Sequence, residues 1–426
     1  MPELPSFTPR PHRVFTAGFY PGPDFDYEVR ILLGSAAFGC TDVGEVLAVI
    51  DTVANNDHDN WFHAWHDLGT RLHASADTAM AAGHRRTAAK QYLRAATYLS
   101  VAVNAASGLE TADEMLLPTY RAHRASWDRF VDSTTHAVER IDIAYEDTDL
   151  PGYFFRPTDD GAARPTLIMV NGSDGAISSQ WGFGAATALE RGYNVLLFDG
   201  PGQQSMLFEN GTAFRPDWEA VLTPVVDHLL QRPDVDRAAL AVYAISQGGY
   251  WAAQALAHEH RIAAAILDPG VTDVAASWTS SIPSSLMKLF HAGKKSAFDR
   301  DMAIGMKFSS VTARTWAFRA RPYRQNSYFD TLTEVYRYTL DAATAAQITT
   351  PLFLTEPDNE QFWPGQSKTL ADRAGGTAEV SHFSAGDGAN YHCQPMARQL
   401  TDERMFDWLG DTIARRRELD SSDLPR

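Results

Sequence analysis

The feature that most constrains this chain is an alternation between about residues 164 and 269. Four apolar runs, PTLIMV, YNVLLF, AALAVYAI and RIAAAIL, each end in a loop carrying Gly, Asp or Ser. Between them lie the helical patterns GFGAATALE, DWEAVLTPVVDHLL and GGYWAAQALA. Continuous apolar runs suit strands buried on both faces. Strands of that kind alternating with helices predict a doubly wound, mostly parallel α/β sheet. VERIDIAYED and LPGYFFRP read as a hairpin leading into it. PLFLTEPD and AEVSHFS extend it, and DERMFDWLGDTIARRR closes the chain as a helix.

The flanking texture differs. No β pattern precedes about Ala137. TDVGEVLAVIDTVA reads as a helix capped by Thr41. NWFHAWHDLGTRLHASADTAMAAG reads as one capped by Asn60, with Trp61, Trp65, Leu68 and Leu72 on one face and Gly83 as its stop. Two more helical stretches follow. Residues 275–345 again lose the strand pattern. The expected division is a helical region 1–136, a first core part 137–274, a helical cap insertion 275–345, a second core part 346–416 and a frayed polar tail 417–426.

Lys and Arg total 37 against 53 Asp and Glu, a formal charge of −16. That balance disfavours nucleic-acid and membrane-surface partners. Two distant cysteines, Cys40 and Cys393, exclude a disulfide framework or a Cys-rich zinc site. The N-terminus has no apolar run of the secretory kind, so a cytoplasmic location is expected.

The chemical signal is YAISQGGY at 243–250. An apolar strand runs through Ala244, Ser246 and Gly248 into a helix. Small residues on either side let the chain turn sharply and hold the serine Oγ above the sheet, the context of a nucleophile. Such a serine needs a base and an orienting acid, in the chain order Ser, acid, His. Asp358, after the strand PLFLTE, is the expected acid, with Glu356 and Glu360 as competitors. His392 is the expected base. His382 is its rival but falls inside an apparent strand. The amides of Gln247 and Ser173 are the expected oxyanion donors, and Gly172 allows close approach. Asp174 is read either as a turn former or as a substrate-binding or acid/base carboxylate. FDGPGQ at 198–203 reads as a structural turn, and HEH at 258–260 as a solvated helix end. No phosphate-loop or zinc motif is present, so no cofactor or metal is expected. Trp278, Met287, Phe290 and Trp316 are candidates for lining a pocket, with Trp278 and Met287 assigned to the substrate. Trp61 and Trp65 are read as core before pocket.

The runs NGSDG, RGYNVLLFDGPGQ, YAISQGGYWA and ILDPGVTD resemble the α/β-hydrolase family that includes 2,6-dihydroxypseudooxynicotine hydrolase, FrsA-like proteins and fungal polyketide-shortening hydrolases of pigment pathways. The helical region and VERIDIAYEDTDLPGYFFRP share the resemblance. It implies a Ser246–His392–Asp358 triad and carbon–carbon or ester cleavage of a small aromatic or polyketide-like molecule. It also implies a homodimer, a helical region forming part of the cleft, and a site carboxylate at Asp174. Thioester cleavage, lyase, cyclase or acyltransfer chemistry, and a non-catalytic binding role remain the alternatives.

Overall fold

The computed structural model describes residues 18–422. Five helices come first: α1 (Pro23–Ser35), α2 (Val43–Ile50), α3 (His58–Ala81), α4 (Arg85–Ala106) and α5 (Ala112–Ser133). Their caps differ from the sequence expectation because nearby carboxylates reach the free amides first. Asp42 caps α2 by accepting from Gly44 N, while the Thr41 hydroxyl donates back to Leu32 O. Asp57 caps α3 by accepting from Asn60 N. Gly83 (φ 82) turns the chain so that α4 packs along α3. A Cβ on Gly69 would come within 2.6 Å of Leu99, so the two helices approach closely there. Phe25, Val29, Trp61, Phe62, Trp65 and Tyr98 form the core of this bundle.

Eight strands follow: β1 (Ala137–Tyr145), β2 (Thr148–Arg156), β3 (Arg164–Val170), β4 (Asn194–Phe198), β5 (Val235–Ile245), β6 (Ala264–Asp268), β7 (Leu352–Pro357) and β8 (Ala378–Phe383). They form one sheet in the order β1-β2-β4-β3-β5-β6-β7-β8. β1 and β2 form an antiparallel hairpin, and β2 pairs antiparallel with β4. The remaining neighbours are parallel.

Between the strands run α6 (Ala186–Glu190), α7 (Gln204–Phe208), α8 (Glu219–Leu230) and α9 (Gly248–Leu256). α6 is shorter than its pattern suggests. Residues 181–185 form an irregular turn in which Gly184 (φ 126) sits against Tyr243 and Met405. Residues 271–351 carry α10 (Ala275–Thr279), α11 (Ser284–His291), α12 (Lys295–Lys307), α13 (Ser310–Ala320), α14 (Tyr328–Val335) and α15 (Ala342–Ala345). α16 (Gln366–Arg373) and α17 (Arg398–Ser422) complete the chain. α17 thus continues through residues expected to fray, and Arg417 pairs with Asp236. Among the described residues no helix is long and apolar enough to cross a membrane.

The sheet is covered on both faces. Trp127 of α5, Trp181, Met405 and Phe406 pack on one side, with Leu167, Met169 and Tyr243 of the strands. Trp218, Val225, Tyr250 and Trp251 pack on the other, with Ile168, Val170 and Val242. This explains why the strands read as unbroken apolar runs.

One polar group lies deep in this core. The Asp268 carboxylate, at the end of β6, accepts hydrogen bonds from Tyr243 (3.0 Å), Thr355 (2.6 Å), Gln394 (3.1 Å) and Arg398 (3.1 Å). Arg398 also bonds Asp402, the Tyr243 hydroxyl and Cys393 O. Removing one member of a fully buried ion pair strands the other charge. Arg398→Met is expected to cost about 3–5 kcal/mol of stability, measured by equilibrium denaturation.

Candidate active site

Ser246 follows β5 directly and takes a left-handed backbone (φ 56). A non-glycine residue there stores strain that its surroundings must hold. Ser246 N donates to Asp268 O (2.6 Å), and Gly249 N donates to Ser246 O (2.9 Å). The glycines after the serine are forced by contact. A Cβ on Gly248 would lie 2.8 Å from Val170 O, and one on Gly249 2.0 Å from Pro269 O.

His392 Nε2 lies 2.9 Å from Ser246 Oγ. On the far side of the ring, Nδ1 lies 2.8 and 2.9 Å from the two carboxylate oxygens of Glu360. The acid on His392 is therefore Glu360, not Asp358. Asp358 is still tied to the sheet, its N–H donating to Phe383 O, so its side chain turns outward. There it pairs with His382 at 2.7 Å and accepts from Ala385 N, an exposed arrangement. The chain must pass Asn359, bridged to Tyr391, before a carboxylate can face the imidazole. Glu360 is then fixed by the amides of Phe362 (2.9 Å) and Trp363 (3.2 Å), whose rings flank His392. His392 N donates to Gln361 Oε1. Burial disfavours the imidazolium, but the Glu360 charge and hydrogen bond outweigh it and hold the His392 pKa above its ordinary value. Burial opposes the charge on Glu360 as well, yet its bonds to His392 and the two amides keep its pKa low. Cys393 donates to Asp268 O, and burial pushes its thiol pKa well up, so it is a packed thiol.

Register places the loop after β3 beside the elbow, with Val170 paired to Ala244. A Cβ on Gly172 would meet Ser246 Cβ at 3.0 Å. Asn171 stiffens this loop by accepting from Gly172 N and donating to Ala176 O. Gln203, in the Gly/Pro turn after β4, braces it from below by donating to Asn171 O and Gly172 O. Ser173 and Gln247 both line the space in front of Ser246.

That space is a cavity of about 360 Å³, within the range of small-molecule sites. The core supplies its floor, α1, α3 and α4 one wall, and α13 another. Helix α1 also docks on the histidine loop. Tyr27 donates to His392 O (2.7 Å), and a Cβ on Gly34 would collide with Pro395 O. Phe25, Trp61, Phe183, Phe318, Phe362 and Trp363 make the cavity aromatic. Of the two tryptophans on α3, Trp61 reaches the cavity and stacks on Phe25, whereas Trp65 is core. Trp278 lines a smaller adjoining space of about 40 Å³ under Arg319. Met287 does not line either space. It packs against the core on α11, whose Phe290 meets Phe298, Phe329 and Tyr336. Trp316 packs edge-on against Trp278. Glu259, expected to be solvated, is instead buried against Arg261. Among the described residues no cluster of His, Cys, Asp or Glu could hold a metal.

Three carboxyls line the cavity, Asp174 and, from α1, Asp24 and Glu28. Asp174 opens into the cavity, and the surrounding protein raises its pKa, opposed by Arg319 and His392. Burial and the Asp174 charge push Glu28 up to about 7. Glu28 gave no sequence signal, since one acid in an amphipathic helix reads as a solvated face. Glu360 had a local one, a carboxylate two and three residues before Phe362 and Trp363 in a tight turn.

Residues 167–400 match the model of the alpha/beta hydrolase family. The chain belongs to this family. Hydrolase LUC6 of Fusarium sp is 29% identical over 96% of this hydrolase and 99% of its own length. The 20-hydroxy-prefusarin hydrolase FUS2 of Gibberella moniliformis is 28% identical over 96% of the chain and 100% of its own length. Among solved structures, 2,6-dihydroxy-pseudo-oxynicotine hydrolase superposes with a TM-score of 0.70 at 18% identity, covering 89% of this hydrolase and 95% of that chain. That likeness is one of fold.

Glu360→Gln is expected to lower kcat on the order of 10³–10⁴-fold and to move the acid limb of the pH–rate profile to lower pH, since the imidazolium loses its main support. Asp358→Asn is expected to change kcat less than about twofold. Glu28 is protonated in the folded enzyme between its unfolded value of 4.5 and about 7, so its contribution to stability falls as pH rises through that window. Glu28→Gln should raise the melting temperature at about pH 8 and shift it little at about pH 4.

Proposed function

We propose that this hydrolase cleaves a carbon–carbon bond next to a ketone in an aromatic or polyketide-like small molecule, through an acyl-enzyme on Ser246. The observation that carries the reading is the unbroken hydrogen-bonded line from Ser246 Oγ through His392 to Glu360 at the floor of an aromatic-lined cavity. His392 takes the Ser246 proton as Oγ attacks the carbonyl carbon. Glu360 orients the ring and offsets its charge. The amides of Gln247 and Ser173 stabilise the tetrahedral oxyanion. Collapse breaks the carbon–carbon bond, the carbon leaving group gains a proton, and water activated by His392 releases the acid.

Two features favour a carbon leaving group over an alkoxide. A carbanion equivalent must be protonated as it departs. Asp174 and Glu28 are cavity-lining carboxyls with raised pKa, and Glu28, pushed up to about 7, is suited to donate near neutral pH. The aromatic lining suits a flat, conjugated substrate. Ester hydrolysis is the second reading, since the same relay performs it without an added acid.

A fluorophosphonate should label Ser246 at one equivalent per chain, with adduct mass mapped to the peptide containing residues 243–250. Ser246→Ala should lose labelling and at least about 10³-fold in turnover. Turnover that survives this substitution would exclude the covalent route.

A further inference from the structure

Arg319 lies in the last turn of α13, on the wall of the cavity that also carries Ser173, Asp174 and Gln247. Its guanidinium rests on the Trp278 ring, 4.6 Å from the centroid, and one nitrogen donates to Ser277 Oγ at 2.8 Å. Most arginines among the described residues have a carboxylate partner, and Arg398 is buried in such pairs. Arg319 has none. Among the described residues no carboxylate forms an ion pair with it, and Ser277 is its one hydrogen-bond partner. Asp174 is close enough to act on its charge but does not touch it. A half-buried guanidinium held flat by a tryptophan beside Ser173 and Gln247, with most of its N–H donors unused among the described residues, is arranged to receive an anionic oxygen from outside the protein.

We infer that Arg319 binds the oxygen on which the leaving group's charge develops, and that the substrate is a 1,3-dicarbonyl compound. The inference rests on the acyl-enzyme reading above and names its substrate class. One carbonyl carbon meets Ser246 Oγ, and the second carbonyl oxygen, three bonds from that carbon, meets Arg319. As the Oγ–C bond forms and the C–C bond breaks, the electron pair moves into the second carbonyl to give an enolate paired with the guanidinium. The enolate carbon takes its proton from the His392 imidazolium, which leaves a neutral imidazole to activate the water. One water hydrolyses the acyl-enzyme, so a diketone and water yield a carboxylic acid and a simple ketone. Arg319 is then a catalytic residue for this cleavage, because it touches an atom that gains charge in the step.

The test compares two probes that give the same benzoyl-enzyme, 1,3-diphenylpropane-1,3-dione and phenyl benzoate. In the ester the charge emerges on the oxygen bonded to the attacked carbon, two bonds nearer Ser246 than the second carbonyl oxygen of the diketone. Arg319→Met is expected to lower kcat/KM for the diketone about 100-fold, and at least about tenfold more than for the ester, with Arg319→Lys recovering part of the difference. Arg319→Gln carries the same comparison if the Met variant does not fold, and thermal melting checks each protein. Equal losses on both probes, no loss on either, or a wild-type enzyme that cleaves the ester and not the diketone would overturn the assignment. Fluorophosphonate labelling of Ser246 separates these outcomes from failure of the underlying reading. An enzyme that labels but leaves the diketone intact keeps its serine mechanism and loses this substrate class, whereas one that does not label loses both.

Discussion

Asp268 ties together the parts that must meet for this site to exist. Its main-chain carbonyl receives the Ser246 amide and the Cys393 thiol. Its carboxylate receives groups from β5, β7, the histidine loop and α17. The strained turn at Ser246 and the loop carrying His392 are thus fixed to the same residue from opposite sides. A 2.9 Å contact between the serine and the imidazole needs this, because the two residues are 146 positions apart. A buried carboxylate is a costly anchor unless fully hydrogen-bonded, and here four side chains bond it.

The centre of the sheet was legible because its strands are buried on both faces. PTLIMV, YNVLLF and AALAVYAI carry no charged residue, and β3, β4 and β5 fall on them. The elbow was legible because the sharp turn restricts the residues around Ser246, and His392 because it follows the last strand. The acid was misplaced by two residues for a local reason. Sequence order marks the end of a strand, but hydrogen bonding carries the sheet on through Asp358 and aims that carboxylate outward. Only the next turn brings a carboxylate inward, and Glu360 has the extra methylene to reach. The caps at Asp42 and Asp57 were missed in the same way, since several polar residues compete within one turn.

The cavity wall was the least legible part. Tyr27, Glu28 and Trp61 come from helices whose sequence describes an ordinary amphipathic bundle, and Arg319 from a helix with no marked apolar face. Their roles come from docking. α1 lies against the histidine loop through Tyr27 and Gly34, which turns one side of the bundle toward Ser246. The result concentrates groups that burial disfavours. Glu28 and Asp174 are pushed toward the neutral form, and Arg319 is left without a carboxylate. Such groups cost stability, and the rest of the fold, with its dense aromatic core on both faces of the sheet, offsets them.

The most direct measurement is a crystal structure of the enzyme after reaction with an aryl phosphonate fluoride. The account predicts phosphorus bonded to Ser246 Oγ, its oxygen within hydrogen-bond distance of the Gln247 and Ser173 amides, and the Glu360 carboxylate on His392 Nδ1. An adduct on another residue, or an imidazole turned from Glu360 toward a different acid, would contradict it.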